Sequence, residues 1–328
     1  GDTTLKRTAS GCVERSIKRV AAYCRVSTDT EDQINSYNSQ VEHYTEFIKK
    51  NKEDCMSEKT NYEITEGYDR EVLLEVLRNF DNSGESVNEE RNRIKRFKIE
   101  HNGKEKEINV KCFSKKSPFI QLIYKYFKGS KGKRSYLYGR KLVELGINTP
   151  EPIAYFDEYY DEATGEKRTF YISEDLKYQF TCRELLWREK LKPEVKEILD
   201  RDREKIIGQF AAFTFNLHEK GVEFDDYSPG NVLIRKENSE KYGFYLIDLN
   251  RMTFRKKLDF NARMKNVSRM LEDREYVEIF SKYYSALYKK TYSEVYDKLY
   301  GYINRHKIYV AVKDNTRTFR YFFKRKKR

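Results

Sequence analysis

No stretch of this chain stays apolar for anything near the ~18 residues that a membrane-spanning helix needs, and no basic-then-apolar leader opens it. No spanning segment and no secretory signal are therefore expected. The sequence opens on Gly1 rather than Met, which leaves room for a targeting segment ahead of it. Cysteines are few, at Cys12, Cys24, Cys55, Cys112 and Cys182, and none forms a C-x-x-C pair. That spacing argues against a zinc site, and an odd, scattered set reads as reduced thiols in a cytosolic protein. No internal repeat is present, and no G-x-G-x-x-G occurs.

Charge and aromatic rings are abundant. Lys and Arg number 66 against 53 Asp and Glu, a formal net charge of +13, and the mean hydropathy is −0.91. Such a balance attracts polyanions: nucleotides, nucleic acid, anionic lipid or phosphorylated glycan. The 27 Tyr and 20 Phe supply apolar surface enough for a folded chain despite the polarity.

Three zones follow from the pattern: 1–61, then 62–173 with mixed strand and helix signals, then a mainly helical 174–328. In the second zone, 92–99 and 106–113 read as strands joined by the turn His101-Asn102-Gly103-Lys104. The segment 118–129 is amphipathic. A helix is expected over 133–145, with Tyr136, Leu137, Leu142 and Leu145 near helical spacing, stopped by Gly146 and Pro150. Two more strands are expected at 153–157 and 169–173, parted by a turn at Thr164-Gly165. In the third zone the strongest helix is 203–218. Ile206, Ile207, Phe210, Phe213 and Leu217 form its stripe, Ala211 and Ala212 widen it, and Phe215 lies off it. The fold class is α+β: a small antiparallel-sheet lobe, then a helical lobe.

The chemistry concentrates after that helix. Phe224-Asp225-Asp226-Tyr227-Ser228-Pro229-Gly230-Asn231 sets an Asp and an Asn five residues apart in a loop; Val232-Leu233-Ile234 reads as a strand, and a second strand ends in Ile247-Asp248. Phosphoryl transfer needs a carboxylate to orient the acceptor hydroxyl, and an amide oxygen plus a second carboxylate to hold magnesium against ATP. Asp226 is the expected catalytic carboxylate, and Asn231 and Asp248 the expected metal ligands. Asp225 gives the wrong spacing and reads as a loop support. His218, at the end of a helix, reads as structural. Lys111, in Ile108-Asn109-Val110-Lys111-Cys112-Phe113, fits a strand lysine that grips phosphates, with Lys115 and Lys116 as competitors. The phosphate-covering turn falls either at Ser83-Gly84-Glu85 or within 89–93. The acidic partner of Lys111 is unassigned, since Glu144 is the one carboxylate on the following helix.

These residues resemble the lipopolysaccharide core kinases, the Kdo and heptose kinase group of the protein-kinase-like superfamily, over roughly 64–254. The signatures include Arg91-Asn92-Arg93-Ile94-Lys95, Val110-Lys111-Cys112-Phe113, Leu145-Gly146-Ile147-Asn148-Thr149-Pro150, the Asp226 loop and Asp248-Leu249-Asn250-Arg251-Met252. The resemblance implies a bilobal kinase-like fold, ATP and Mg2+ as cofactors, and phosphorylation of a sugar hydroxyl on a lipid-linked core oligosaccharide. It also implies a cytoplasmic site, peripheral at the inner membrane. Asp225 and Ser228 replace the Gly and His of the commoner loop, and the helix near Ser135 lacks the acid many members carry.

A second resemblance lies in 18–51. Arg19-Val20-Ala21-Ala22-Tyr23-Cys24-Arg25-Val26-Ser27-Thr28-Asp29 looks like the start of a serine recombinase of the resolvase/invertase type. It implies Ser27 as nucleophile and Arg25 as its phosphate partner in a truncated βα segment. Lys125, Lys128, Lys131, Lys133, Arg134, Arg140 and Lys141 form a basic cluster, and 317–328 interleaves aromatics with cations. Both suit an anionic membrane surface or nucleic acid. The competing functional readings are a DNA-acting protein descended from the recombinase segment and a nucleotide-binding pseudokinase.

Overall fold

The computed structural model describes residues 61–88, 92–113, 129–161, 165–186 and 191–325, with side chains as far as 309 and at Val312. The recombinase-like segment with Arg25 and Ser27, the stretch 118–128, Thr164, and Lys115 and Lys116 lie outside the described residues. No helix among the described residues is long and apolar enough to cross a membrane.

A six-stranded antiparallel sheet forms the first lobe, in the order β1-β5-β6-β4-β3-β2. Its strands are β1 (Asn61–Ile64), β2 (Glu85–Asn88), β3 (Arg93–His101), β4 (Lys104–Phe113), β5 (Pro152–Asp161) and β6 (Glu166–Glu174). The β3–β4 hairpin closes at Asn102-Gly103, where both residues have positive φ, at 54° and 70°. That is the geometry for which Asn-Gly is selected. Helix α1 (Arg70–Arg78) follows β1 and is capped by Asp69, whose side chain accepts from the amides of Glu71 and Val72. Helix α2 (Lys131–Glu144) joins β4 to β5 and is capped by the Ser130 hydroxyl.

The period-2 alternation of β4 decides which residues reach the interlobe cleft. Ile108, Val110 and Cys112 share a buried cluster with Leu73 and Leu77 of α1. Phe113 belongs to a separate cluster with Tyr136 of α2, Tyr155 and Tyr171. Lys111 has the parity of Phe113, and its ammonium lies 5.3 Å from that ring's centroid.

The second lobe is built on α4 (Pro193–Glu219), preceded by β7 (Phe180–Thr181) and the short α3 (Arg183–Leu186). Two ribbons follow: β8 (Val222–Phe224) pairs with β11 (Met252–Phe254), and β9 (Val232–Lys236) pairs with β10 (Tyr242–Leu246). Helices α5 (Phe260–Val267), α6 (Arg274–Tyr288) and α7 (Tyr292–Arg325) complete the chain. Cys112 and Cys182 are buried free thiols. Gly221 turns the chain from α4 into β8 with φ +72°, and a Cβ there would stand 1.9 Å from the Arg255 carbonyl oxygen. Only glycine fits.

Four expectations are corrected. Helix α4 begins at Pro193, ten residues before 203, because Val195 and Leu199 extend the buried stripe backward through a charged segment and proline suits the first helical position. Ala212 faces solvent rather than widening the stripe. Leu137 is exposed, since the apolar side of α2 is made by Tyr136, Gly139 and Leu142. Arg134 is not part of a surface cluster: it is buried, with 6% of its surface exposed. Phe215, off the main stripe, packs edge-on against Tyr284 and Tyr288 of α6.

Candidate active site

The loop between β8 and β9 is held from below at several points. Tyr227 is fully buried, and its hydroxyl shares a 2.8 Å hydrogen bond with the Thr214 hydroxyl on α4. The Asn266 amide of α5 donates to the Phe224 carbonyl at 2.8 Å. A single 3-10 turn, Pro229–Asn231, then delivers the chain to β9. Proline and glycine supply its tight backbone, and the Asn231 amide nitrogen donates to the Ser228 carbonyl.

Asn231 and Asp248 are brought together by the β9–β10 hairpin. Val232 pairs with Leu246 at its open end, and the Ile247 amide donates to the Asn231 carbonyl at 3.0 Å. The Asn231 side-chain nitrogen donates to the Asp226 carbonyl at 2.9 Å, so Oδ1 is the atom left for an outside ligand. Asp248 adopts the left-handed region, φ +57°, a conformation that costs an ordinary residue energy and persists only where its surroundings enforce it. Its Oδ1 accepts from the Asn250 amide at 2.8 Å and from the Lys111 ammonium at 2.6 Å. The last contact closes the cleft between the lobes across 137 residues of sequence. It also identifies the acidic partner that sequence spacing leaves open, for Glu144 pairs instead with Lys141.

Asp226 is about one-third exposed and lies between two arginines that sequence reasoning misses. Arg269 Nη2 is 3.5 Å from its Oδ1 and Arg251 Nη1 is 3.9 Å from its Oδ2. Arg269 also donates to the Asp225 and Tyr227 carbonyls. Arg251 follows the Asp248-Leu249-Asn250 run, a signal that could have found it; Arg269, in the turn after α5, gives none. Asp225 is exposed and supports the loop through its backbone, its amide donating to the Arg251 carbonyl. The Ser83-Gly84-Glu85 turn packs on the Phe97 ring, 2.6 Å from where a Gly84 Cβ would sit. Of the alternative turn at 89–93, residues 89–91 lie outside the described set.

His218 is structural. It is fully buried, shares hydrogen bonds with Tyr284 and Asn266, and burial pushes its pKa down to about 3. The folded protein thus keeps this ring neutral, while the unfolded chain protonates it below its ordinary value near 6.5. Its contribution is complete above about pH 6.5 and is lost as the pH falls toward 3. At pH 5 the loss from this group is about 2 kcal/mol. His218→Gln is therefore expected to flatten the fall in Tm between pH 7 and pH 5; an unchanged slope contradicts this.

Oxygen donors of this kind suit a hard cation. Among the described residues no group of three or more His, Cys, Asp or Glu side chains could hold a metal by itself. Asn231 and Asp248 would supply two oxygens and leave the remaining positions to phosphate and water, the mode magnesium favours in phosphoryl-transfer sites.

The profile of the lipopolysaccharide kinase (Kdo/WaaP) family matches residues 87–292, well over half of the chain. No curated protein matches the sequence. Among solved structures, WaaP in complex with acyl carrier protein is similar over 75% of this chain and 97% of that one, at 18% identity and a TM-score of 0.49. A Stt7 homologue from Micromonas algae, soaked with ATP, is similar over 61% of this chain and 56% of that one, at 11% identity and a TM-score of 0.40.

Proposed function

We propose that this chain, which belongs to the lipopolysaccharide kinase (Kdo/WaaP) family, transfers the γ-phosphoryl group of ATP to a sugar hydroxyl of a lipid-linked core oligosaccharide. Its being a kinase follows from the family; the acceptor and the roles of individual residues are our reading. The observation that carries that reading is the Lys111–Asp248 contact, which brings a phosphate-gripping cation to the carboxylate beside Asn231 and the Asp226 loop.

In this reading Lys111 holds the α- and β-phosphates, releasing Asp248 from their ion pair when nucleotide enters. Asn231 Oδ1 and the Asp248 carboxylate would hold magnesium. Magnesium, when bound, screens phosphate charge and polarises the transferring group. Asp226 accepts a hydrogen bond from the acceptor hydroxyl and aims its oxygen at the γ-phosphorus. The new O–P bond forms as the bond to the β,γ-bridging oxygen breaks; ADP leaves, and the hydroxyl proton passes to Asp226. Arg251 and Arg269 flank that carboxylate, at 3.9 Å and 3.5 Å.

The acceptor's lipid places the work at an anionic membrane surface, on the cytoplasmic side. Two features support docking there. Ile308, Tyr309 and Val312 are exposed on α7, at 65%, 62% and 57%, and the sequence that follows is rich in Arg and Lys. Apolar side chains beside cations suit an anionic interface.

Radiolabelled ATP with Kdo-terminated and heptose-terminated acceptors, each lipid-linked or delipidated, tests the acceptor. Label is expected in the sugar, and faster on lipid-linked acceptor in phosphatidylglycerol vesicles than in phosphatidylcholine vesicles. Equal rates on delipidated and lipid-linked acceptors would remove the membrane's role. Label in protein or nucleic acid but in no glycan would remove the saccharide.

A further inference from the structure

Helix α2 has no acid facing Lys111, yet it is tied to the metal-side loop by another route. Arg134, one turn into α2, is buried and donates from Nε to the Asn250 carbonyl at 3.0 Å. Its Nη1 donates to the Gly129 carbonyl at 3.2 Å, bracing the fork at the start of the same helix. Asn250 is itself buried and passes the constraint on, its side chain donating to Asp248 Oδ1 at 2.8 Å. One turn further along α2, Gly139 lets the helix close on Leu249: a Cβ there would stand 3.1 Å from Leu249 Cδ1 and 2.7 Å from Pro152 Cγ. The three residues Asp248, Leu249 and Asn250 are thus gripped by α2 at two points, and the left-handed backbone of Asp248 lies within that grip.

We propose that Arg134 is a positioning residue for phosphoryl transfer, coupling the seating of α2 to the geometry of the Asp248 carboxylate. A guanidinium suits this role because it stays charged at any working pH and presents several donors in a rigid fork. The single carboxylate of α2, Glu144, is engaged with Lys141 at the far end of the helix. Arg134 therefore supplies a helix-to-loop link that does not pass through Lys111. Lys111 is left to bond Asp248 before nucleotide binds and phosphate afterward.

The inference rests on the reading of Asp248 as a magnesium ligand, so the test separates the two. ATP is titrated calorimetrically into the full chain with and without magnesium, and kcat and KM for ATP are measured in parallel. For the wild type, magnesium tightens ATP binding. In Arg134→Met that tightening is expected to shrink by about 10- to 100-fold, as when partners of metal ligands are removed. Magnesium-free ATP affinity stays unchanged and kcat falls more than KM rises. Arg134→Lys, which keeps charge and one donor, restores part of it. If Arg134→Met does not fold, Gly139→Ala probes the same grip by pushing α2 away from Leu249, with the same loss expected. Undiminished magnesium tightening in a folded Arg134→Met or Gly139→Ala overturns the proposal. So does an equal loss with and without magnesium, which would mark Arg134 as purely structural. Magnesium tightening that survives in Asp248→Asn defeats the underlying assignment instead.

Discussion

Asp226→Ala is expected to lower the rate of phosphoryl transfer by about 10²- to 10⁴-fold, the range over which a positioned proton acceptor contributes, with little change in Tm. The two halves of that expectation have separate causes. The carboxylate is the group that would orient the attacking hydroxyl, and no other side chain in the loop has its position: Asp225 is exposed and tied to the loop through its backbone. The fold, in contrast, asks little of the Asp226 side chain. Its partners are Arg269 at 3.5 Å and Arg251 at 3.9 Å, long contacts in a part-exposed site where such pairs are worth about 0–1 kcal/mol. The bond that organises the loop runs from Asn231 to the Asp226 backbone carbonyl and survives the substitution. Steady-state kinetics beside a melting curve check this; a variant that keeps most of its activity, or loses activity and Tm together, contradicts it.

Asp248→Asn and Asp248→Ala are both expected to reduce transfer by at least about 10²-fold, the scale for removing one preorganised electrostatic group. Their stabilities should differ. Asp248 holds φ +57°, a region asparagine enters readily and alanine does not, at about 1–2 kcal/mol per residue for the ordinary side chain. Either change also removes the negative partner of the Lys111 ammonium, whose side chain is only 13% exposed, so both variants melt below the wild type. The order wild type, then Asn, then Ala in Tm, with both variants inactive, separates the charge from the backbone. Equal melting of the two variants would mean the left-handed conformation carries no cost; activity in Asp248→Asn would mean the carboxylate charge is not required.

What can be read from the sequence is what depends on neighbours along the chain. The Asn102-Gly103 turn fixes its hairpin because two successive positive φ angles select those residues. The Asp226–Asn231 spacing and the strand ending at Asp248 are plain in the sequence, since loop and hairpin are local. Helix α4 reads short because its first half carries mostly charged side chains, and Asp202 sits where an apolar residue would have continued the stripe. Asp202 is held there by the Tyr242 hydroxyl, a tertiary contact with no trace in local pattern.

The failures in the site have the same origin. Lys111 meets Asp248 across 137 residues, and no local spacing announces that pairing. Arg134 sits among Lys131, Lys133 and the cations beyond, so composition marks it as surface; only the packing of α2 on Leu249 shows that it points inward. Arg269 reaches the Asp226 loop from the turn after α5, where its neighbours in sequence say nothing of phosphate chemistry.

One assay bears most directly on the proposed reaction: transfer of the labelled γ-phosphate from ATP to lipopolysaccharide core by the wild type and by Asp226→Asn, with and without magnesium. Magnesium-dependent label in the glycan from the wild type, and none from a folded Asp226→Asn, is the predicted result. Equal labelling by the two proteins, or no glycan label from a wild type that binds ATP with magnesium, would contradict it.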